Sequence, residues 1–378
     1  APAGSVWARW AAGNAWFERI AAVQRDCSLP HDDVPLNPGG GFASKFQLAT
    51  GKALRILRKG RAVRLVGHFA GYSAISPCKE ALGTEHFKSR GSFACYFRPE
   101  RPCENGEDIT PQERVAAKKA LDELQKLDKR DVSAAYQALE AYFFRPNDAT
   151  IREFGRRAEG LGVDVRPRSD RFLVGIHARR GDKVVDAYNR YYTTREYAEA
   201  LVNWAATASV CTGGPRVCVV YVASDSAVVK RELQGLLGPA SAAGCRFEVA
   251  GPDGSVSQRA SDAHRFDRWG EIQGMAGKVQ LMRGEEAKEA AIDILFDIFV
   301  LSRADLLIGS LTSQIGRIAA GLSIAVGQHG PWGYTAPLAM DFPNWRSVEG
   351  MGAGDGIPSP LGEGWVAPPP AKLSLAPE

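Results

Sequence analysis

Residues 171–183 read Arg171-Phe172-Leu173-Val174-Gly175-Ile176-His177-Ala178-Arg179-Arg180-Gly181-Asp182-Lys183. Phe172 to Ile176 is a short apolar run bounded by polar residues, the pattern of a strand buried in a parallel sheet. Where that strand ends, the chain sets down His177, Arg179, Arg180, Asp182 and Lys183. In open α/β sheets ligands bind outside the carboxyl ends of the strands, so a loop this charged is placed to meet a polar ligand. Two arginines and a lysine beside a histidine suit a diphosphate, because a guanidinium fork meets phosphate oxygens two bonds at a time. An isolated basic tripeptide is more simply a solvated turn; a strand delivering all five groups together points to a site.

The chain downstream repeats the alternation. A helix is expected over 194–206, a second buried strand over 217–223 ending at Ser224-Asp225-Ser226, and a helix over 227–237. A short strand over 246–250 follows, then a polar stretch, 251–286, read as a loop near the site. Next come a helix over 289–302, a strand over 304–309 closed by Ser310-Leu311-Thr312-Ser313-Gln314, a helix from about Ile315, and a last strand over 324–327. Alternating strands and helices predict a doubly wound α/β domain from about 168 to 330. His177 with Arg179, Asp225, and Ser310 to Ser313 then gather at one edge of one sheet.

Asp297 stands apart. It sits among Ile294, Leu295, Ile298 and Phe299 on an otherwise apolar helix, where an unpaired carboxylate is costly. Two donors from a guanine edge would remove that cost, and so would an internal arginine. The spacing favours neither.

The first half reads as an amphipathic helix over 6–24, a turn Asn37-Pro38-Gly39-Gly40-Gly41-Phe42, a helix over 43–57 and a strand over 61–67. A glycine-rich turn before a helix lets a ligand approach backbone N–H groups, although three glycines are more often just a loop. Residues 72–110 read as a long irregular excursion, and 111–162 as three helices, the last two divided at Arg145-Pro146.

The whole chain has 378 residues, enough for two domains of ordinary size. A net charge of +4 gives no footprint for nucleic acid but admits a local basic pocket. No apolar run reaches membrane-span length. The sequence begins Ala-Pro-Ala, which leads us to expect a processed or truncated form whose targeting segment, and any membrane attachment, lies outside it. Among the seven cysteines there is no Cys-x-x-Cys pair, so no zinc site is expected. Cys78, Cys95 and Cys103 lie in loop-like sequence and suit lumenal disulfides. No Asn-x-Ser/Thr sequon is present.

These residues resemble the α1,6-fucosyltransferase family, which includes the eukaryotic core fucosyltransferase of N-glycans and the rhizobial nodulation fucosyltransferase. Three motifs carry the resemblance: His177-Ala178-Arg179-Arg180-Gly181-Asp182-Lys183, Val220-Tyr221-Val222-Ala223-Ser224-Asp225, and the block from Asp297 to Asp305 continued by Ser313-Gln314-Ile315-Gly316-Arg317. Weaker likeness, at the glycine turn before Phe42, at Phe97-Arg98-Pro99 with Cys103 and at Phe144-Arg145-Pro146, extends it over about 25–330.

The resemblance implies a GT-B-like α/β enzyme: two Rossmann-type domains, 1–165 and 166–348, facing across a cleft, followed by a Gly/Pro-rich tail over 349–378. It implies GDP-β-L-fucose as donor, an oligosaccharide or glycoprotein acceptor, α1,6 linkage, inversion without a metal or other cofactor, and a Golgi lumenal setting. Arg179 would hold the β-phosphate and stabilise departing GDP, with His177, Arg180 and Asp225 on the donor. Asp297 would read the guanine, Ser313 and Gln314 would sit at the phosphates or fucose, and Gly41 with Phe42 would line the cleft. Arg179, Lys183 and Asp186 form the implied catalytic group.

Two departures matter. The family places a glutamate base shortly after the motif's lysine, whereas Val184-Val185-Asp186-Ala187 offers only Asp186, one position early and shorter. The eukaryotic core enzymes end in an SH3-like domain where this sequence has its Gly/Pro-rich tail, which leaves the acceptor more open than the donor. A variant with another GDP-sugar or acceptor, and a silent nucleotide- or glycan-binding protein that has lost the base, remain as alternatives.

Overall fold

The computed structural model describes residues 14–36, 42–67, 93–98, 101, 109–165, 171–180, 192–207, 216–238, 241–242, 245–253, 284–310, 313–326 and 338–340. It is a mixed α/β structure with two sheets, one of two parallel strands and one of six mainly parallel strands.

The first half begins with α1 (Ala15–Arg25), started by Asn14, whose side chain accepts from the N–H groups of Trp16 and Phe17. Next come β1 (His31–Pro35), α2 (Phe42–Leu57) and β2 (Ala62–Val66), with β1 and β2 paired in parallel. After the four-residue α3 (Phe93–Tyr96) stand three helices: α4 (Pro111–Gln125), α5 (Lys129–Phe143) and α6 (Asp148–Gly160). Thr110 and Glu113 form a reciprocal capping box at the start of α4, and Asn147 caps α6. The break expected at Arg145-Pro146 falls between α5 and α6.

The second half continues with β3 (Arg171–Ala178), α7 (Thr194–Thr207), β4 (Arg216–Ser224), α8 (Ala227–Leu237), β5 (Ser241–Ala242) and β6 (Cys245–Ala250). It ends with α9 (Gly284–Leu301), β7 (Leu306–Gly309), α10 (Gln314–Val326) and β8 (Leu338–Ala339). The strands form one sheet in the order β5-β6-β4-β3-β7-β8, parallel throughout except for the β5–β6 pair.

Alternate residues of the central strands feed two cores. Phe172, Val174, Ile176, Val220 and Val222 pack with Tyr197 and Leu201 of α7 and with Val229 and Leu233 of α8. Leu173, Val219, Tyr221 and Ala223 point to the other face, into a core with Ile298 and Leu301 of α9 and Ile318 of α10. Helices on both faces make the sheet doubly wound, as the alternation predicts. The second of these cores is continuous with that of the first half, through residues such as Phe46, Leu139 and Phe154.

One expected strand is absent. Ile324 to Val326 is the last turn of α10, in phase with buried Ile318, Leu322 and Ala325 on the helical repeat. The edge position beside β7 belongs instead to β8. The expected loop over 251–286 is largely outside the described residues, as are the glycine turn at 37–41 and the tail.

Candidate functional site

The strand order places β4 and then β6 on one flank of β3 and β7 on the other, so the chain changes direction between β3 and β7. A crevice opens at the carboxyl end of such a switch point. His177 lies there, level with Gly309 of β7 and Ala223 of β4. It is 4% exposed, and its Nδ1 is buried without a hydrogen-bond partner among the described residues. Burial, reinforced by the neighbouring Arg179 charge, pulls its pKa down to about 3. The ring is therefore a neutral donor–acceptor at ordinary pH and adds no fixed positive charge.

Two glycines make room for it. A Cβ on Gly309 would lie 3.3 Å from the His177 Cβ, and one on Gly316 would lie 3.4 Å from His177 Nδ1. Gly316 is in the first turn of α10, so the imidazole packs against the start of that helix. Ser310 and Ser313 frame the same start: the Ser313 N–H donates to the Ser310 carbonyl at 3.3 Å. Gln314 adds a buried side-chain Oε1 with no hydrogen-bond partner among the described residues. Unpaired N–H groups and the helix dipole make such a terminus favourable to an anion.

Arg179 brings the fixed charge. Its Nη1 stands 3.3 Å from Asp225 Oδ2, and the Asp225 side chain is only 3% exposed. Asp225 also accepts the Arg180 backbone N–H at 2.7 Å, while Ser224 Oγ donates to the Ala178 carbonyl at 2.6 Å. The end of β4 thus holds the turn after β3 in place, and Asp225 acts on Arg179 and on that turn.

Arg180 takes a different part from the one expected. Its guanidinium is buried at the start of α7, bonded to the Tyr192 carbonyl and to Thr194 Oγ1. It anchors the entry to that helix, which leaves Arg179 as the arginine of the strand-end cluster. Phe42 is likewise a core residue, stacked on Phe46 at 5.6 Å and Phe97 at 6.2 Å between ring centroids and only 4% exposed. Gly41, Lys183 and Asp186 lie outside the described residues.

Asp297 is held from beneath. The Tyr221 hydroxyl donates to its Oδ1 at 2.6 Å, and this is its hydrogen bond among the described residues. The protein partner is a tyrosine of β4 in place of an internal arginine. Desolvation raises the Asp297 pKa to about 7, with the Tyr221 hydrogen bond and Arg157 opposing and the like charge of Asp293 adding to the rise. Its second oxygen, Oδ2, makes no hydrogen bond among the described residues. α9 packs on β3 where Leu301 meets Gly175. Tyr221, which holds Asp297, is level with the same Gly175 on the neighbouring strand.

Two residues here were given no role from the sequence: Tyr221, quoted only as part of the second motif, and Arg157. Arg157 of α6 is bonded to Asp293 and Glu289 of α9 and, at 2.8 Å, to Glu153, and so ties α9 to the first half. Among the described residues no three His, Cys, Asp or Glu side chains group as metal ligands.

No family model and no curated protein matches the chain. The chain is similar to solved fucosyltransferases. NodZ α-1,6-fucosyltransferase soaked with GDP-fucose aligns at a TM-score of 0.39 and 15% identity, over 77% of this chain and 92% of that one. The fucosyltransferase NodZ from Bradyrhizobium gives 0.39 and 14%, over 76% and 91%. A mutant of FUT1 from Arabidopsis thaliana in complex with GDP gives 0.40 and 15%, over 81% and 72%. At this identity the chemistry of the site has to come from its own side chains.

Proposed function

We propose that the chain is a glycosyltransferase that takes L-fucose from GDP-β-L-fucose and delivers it, with inversion and without a metal, to an oligosaccharide acceptor in α1,6 linkage. One observation carries this reading: at the switch point of the sheet a neutral His177 packs against the start of α10, and Arg179, two residues on, holds its guanidinium against Asp225 at the end of β4. That set offers a fixed cation and backbone donors to a diphosphate. Asp297, with Oδ2 uncommitted among the described residues, supplies a carboxylate suited to the two N–H donors of a guanine edge.

In the proposed reaction the charge that develops on the departing diphosphate is met by Arg179 and the N-terminus of α10. Preorganised charge of this kind substitutes for a Lewis acid at a leaving phosphate. His177, neutral, contributes hydrogen bonding and shape. Asp186 is assigned as the base that takes the acceptor hydroxyl proton, and Lys183 completes the proposed catalytic group. Catalysis is placed between the two expected domains, 1–165 and 166–348.

The setting we propose is an oxidising lumen such as the Golgi, with an N-glycan as one candidate acceptor. Disulfides at Cys27, Cys95 and Cys245, which are part of this proposal, suit such a compartment. Calorimetric titration of GDP, UDP and ADP, each with EDTA, tests the donor. Binding of GDP alone is the expected result; no GDP binding, or metal-dependent UDP binding, would overturn the proposal. Turnover of GDP-fucose with a glycan panel, and linkage analysis of the product, then tests acceptor and linkage.

A further inference from the structure

Tyr221 is fully buried in the middle of β4, on the face that carries small Val219 and Ala223. Its ring packs edge-on to Phe296 of α9, at 6.0 Å and 87°, and Phe296 in turn meets Phe154 of α6 at 5.7 Å. A ring boxed in this way has one place to put its hydroxyl, and a buried hydroxyl requires a partner. That partner is Asp297 Oδ1, at 2.6 Å and 76 positions away in the chain.

The other charges around Asp297 are committed elsewhere. Arg157 reaches from α6 but bonds Asp293, Glu289 and Glu153. Asp293, one turn back on α9, is a like charge. Among the described residues, Tyr221 from β4, Asp293 from α9 itself and Arg157 from α6 are the titratable or charged groups that act on this carboxyl. Of these, only Tyr221 touches it.

We infer that Tyr221 is a positioning residue for base recognition: it clamps Oδ1 so that the remaining acceptor capacity of the Asp297 carboxylate is aimed at a base edge carrying two N–H donors. This rests on the GDP-sugar reading above and names the group that makes Asp297 competent for it. A protonated Asp297 has lost one acceptor and gained a donor, so it no longer complements such an edge. The tyrosine hydrogen bond favours the ionised carboxylate, against burial and Asp293. Acidification below about pH 7, the Asp297 pKa, should therefore weaken GDP binding.

The test is titration of the full chain with GDP, and with ADP as control, from pH 5.5 to 8.5, in wild type, Tyr221→Phe, Asp297→Asn and the double variant. Loss of a hydrogen bond to a charged group predicts roughly 10-fold or more weaker GDP binding in Tyr221→Phe at pH 7.5. The pH at which GDP affinity falls off should move up by about one unit, which loss of ring packing would not cause. In Asp297→Asn the acid limb should vanish, and adding Tyr221→Phe should cost little more.

An unmoved acid limb in Tyr221→Phe, or a full further loss in the double variant, overturns the role given to Tyr221. Wild type that binds no GDP, or binds GDP and ADP alike, overturns the donor reading itself and this inference with it. The two failures are told apart because the second is already visible before any substitution.

Discussion

His177 on β3 lies within van der Waals reach of Gly316 on α10. A Cβ on Gly316 would lie 3.4 Å from the imidazole Nδ1 and 2.6 Å from the Ser310 carbonyl oxygen. Because the second of these is backbone, Gly316→Ala must push the start of α10 away from the turn after β7. Overpacking of this kind costs about 1–3 kcal/mol, read by urea denaturation, and should also weaken GDP binding. Gly235→Ala is the control: nothing lies within 4 Å of its Cβ position on α8. There the substitution should stabilise by about 0.5–1 kcal/mol, as alanine does in a helix interior. Equal effects at the two glycines would remove steric fit from the account of Gly316.

Much of this arrangement was legible in the sequence, and the failures are physical. β3, β4 and β7 are buried on both faces, so each reads as a continuous apolar run. The same logic misled at Ile324-Ala325-Val326, where a short apolar run closes a buried helix and length alone cannot separate the two. β1, His-Asp-Asp-Val-Pro, went unread because only Val34 is buried. Its order comes from across the sheet: Arg64 Nε and Nη2 bond Asp33 at 2.9 and 3.0 Å, and Arg61 Nε bonds Asp32 at 2.7 Å. For Asp297 the sequence exposed the cost of a carboxylate on an apolar helix, but its partner comes from another strand and has no local signature. The exits of β3 and β7 were readable as polar turns; that Arg180 faces α7 while Arg179 faces Asp225 depends on the path of a turn that spacing does not define.

Arg179 and Asp225 give a prediction that separates chemistry from folding. Arg179→Ala removes a fork from the proposed diphosphate site and should cut transfer by roughly 100-fold or more, the scale of losing one transition-state donor. It also takes a charge away from Asp225, which is 6% exposed but still accepts the Arg180 N–H. The fold should survive with a lower midpoint in urea. Arg179→Lys restores the charge without the bidentate geometry, so it should recover stability more than transfer. Transfer within a few-fold of wild type in Arg179→Ala would take Arg179 out of the mechanism.

Arg157 predicts how the first half is tied to the helix that carries Asp297. Its side chain is 15% exposed and that of Asp293 11%. Breaking a largely buried ion pair by deleting one partner costs about 3 kcal/mol, because the other charge is left stranded. Arg157→Met should therefore destabilise by about that much in urea, and Arg157→Met with Asp293→Asn by less than the sum of the two single changes. Additive losses would show that the two side chains do not act as a pair.

The last prediction concerns Glu140, which is 1% exposed on α5 with neither carboxyl oxygen hydrogen-bonded among the described residues. The group is seated on α10, where a Cβ on Gly321 would lie 2.4 Å from Oε2. Burial holds its acid well above the usual carboxylate range, and the nearby Tyr136 and Arg317 oppose this only in part. The folded state therefore keeps a proton that the unfolded chain releases from about pH 4.5. Stability contributed by that proton is complete below the unfolded pKa and is lost as pH rises towards the folded one, at up to about 1.4 kcal/mol per pH unit. Glu140→Gln, neutral at every pH and of the same shape, should unfold at nearly the wild-type urea midpoint near pH 4 and at progressively higher midpoints than wild type above pH 5. Parallel stability curves for the two proteins would mean that Glu140 is ionised in the fold, with its charge met by Arg317.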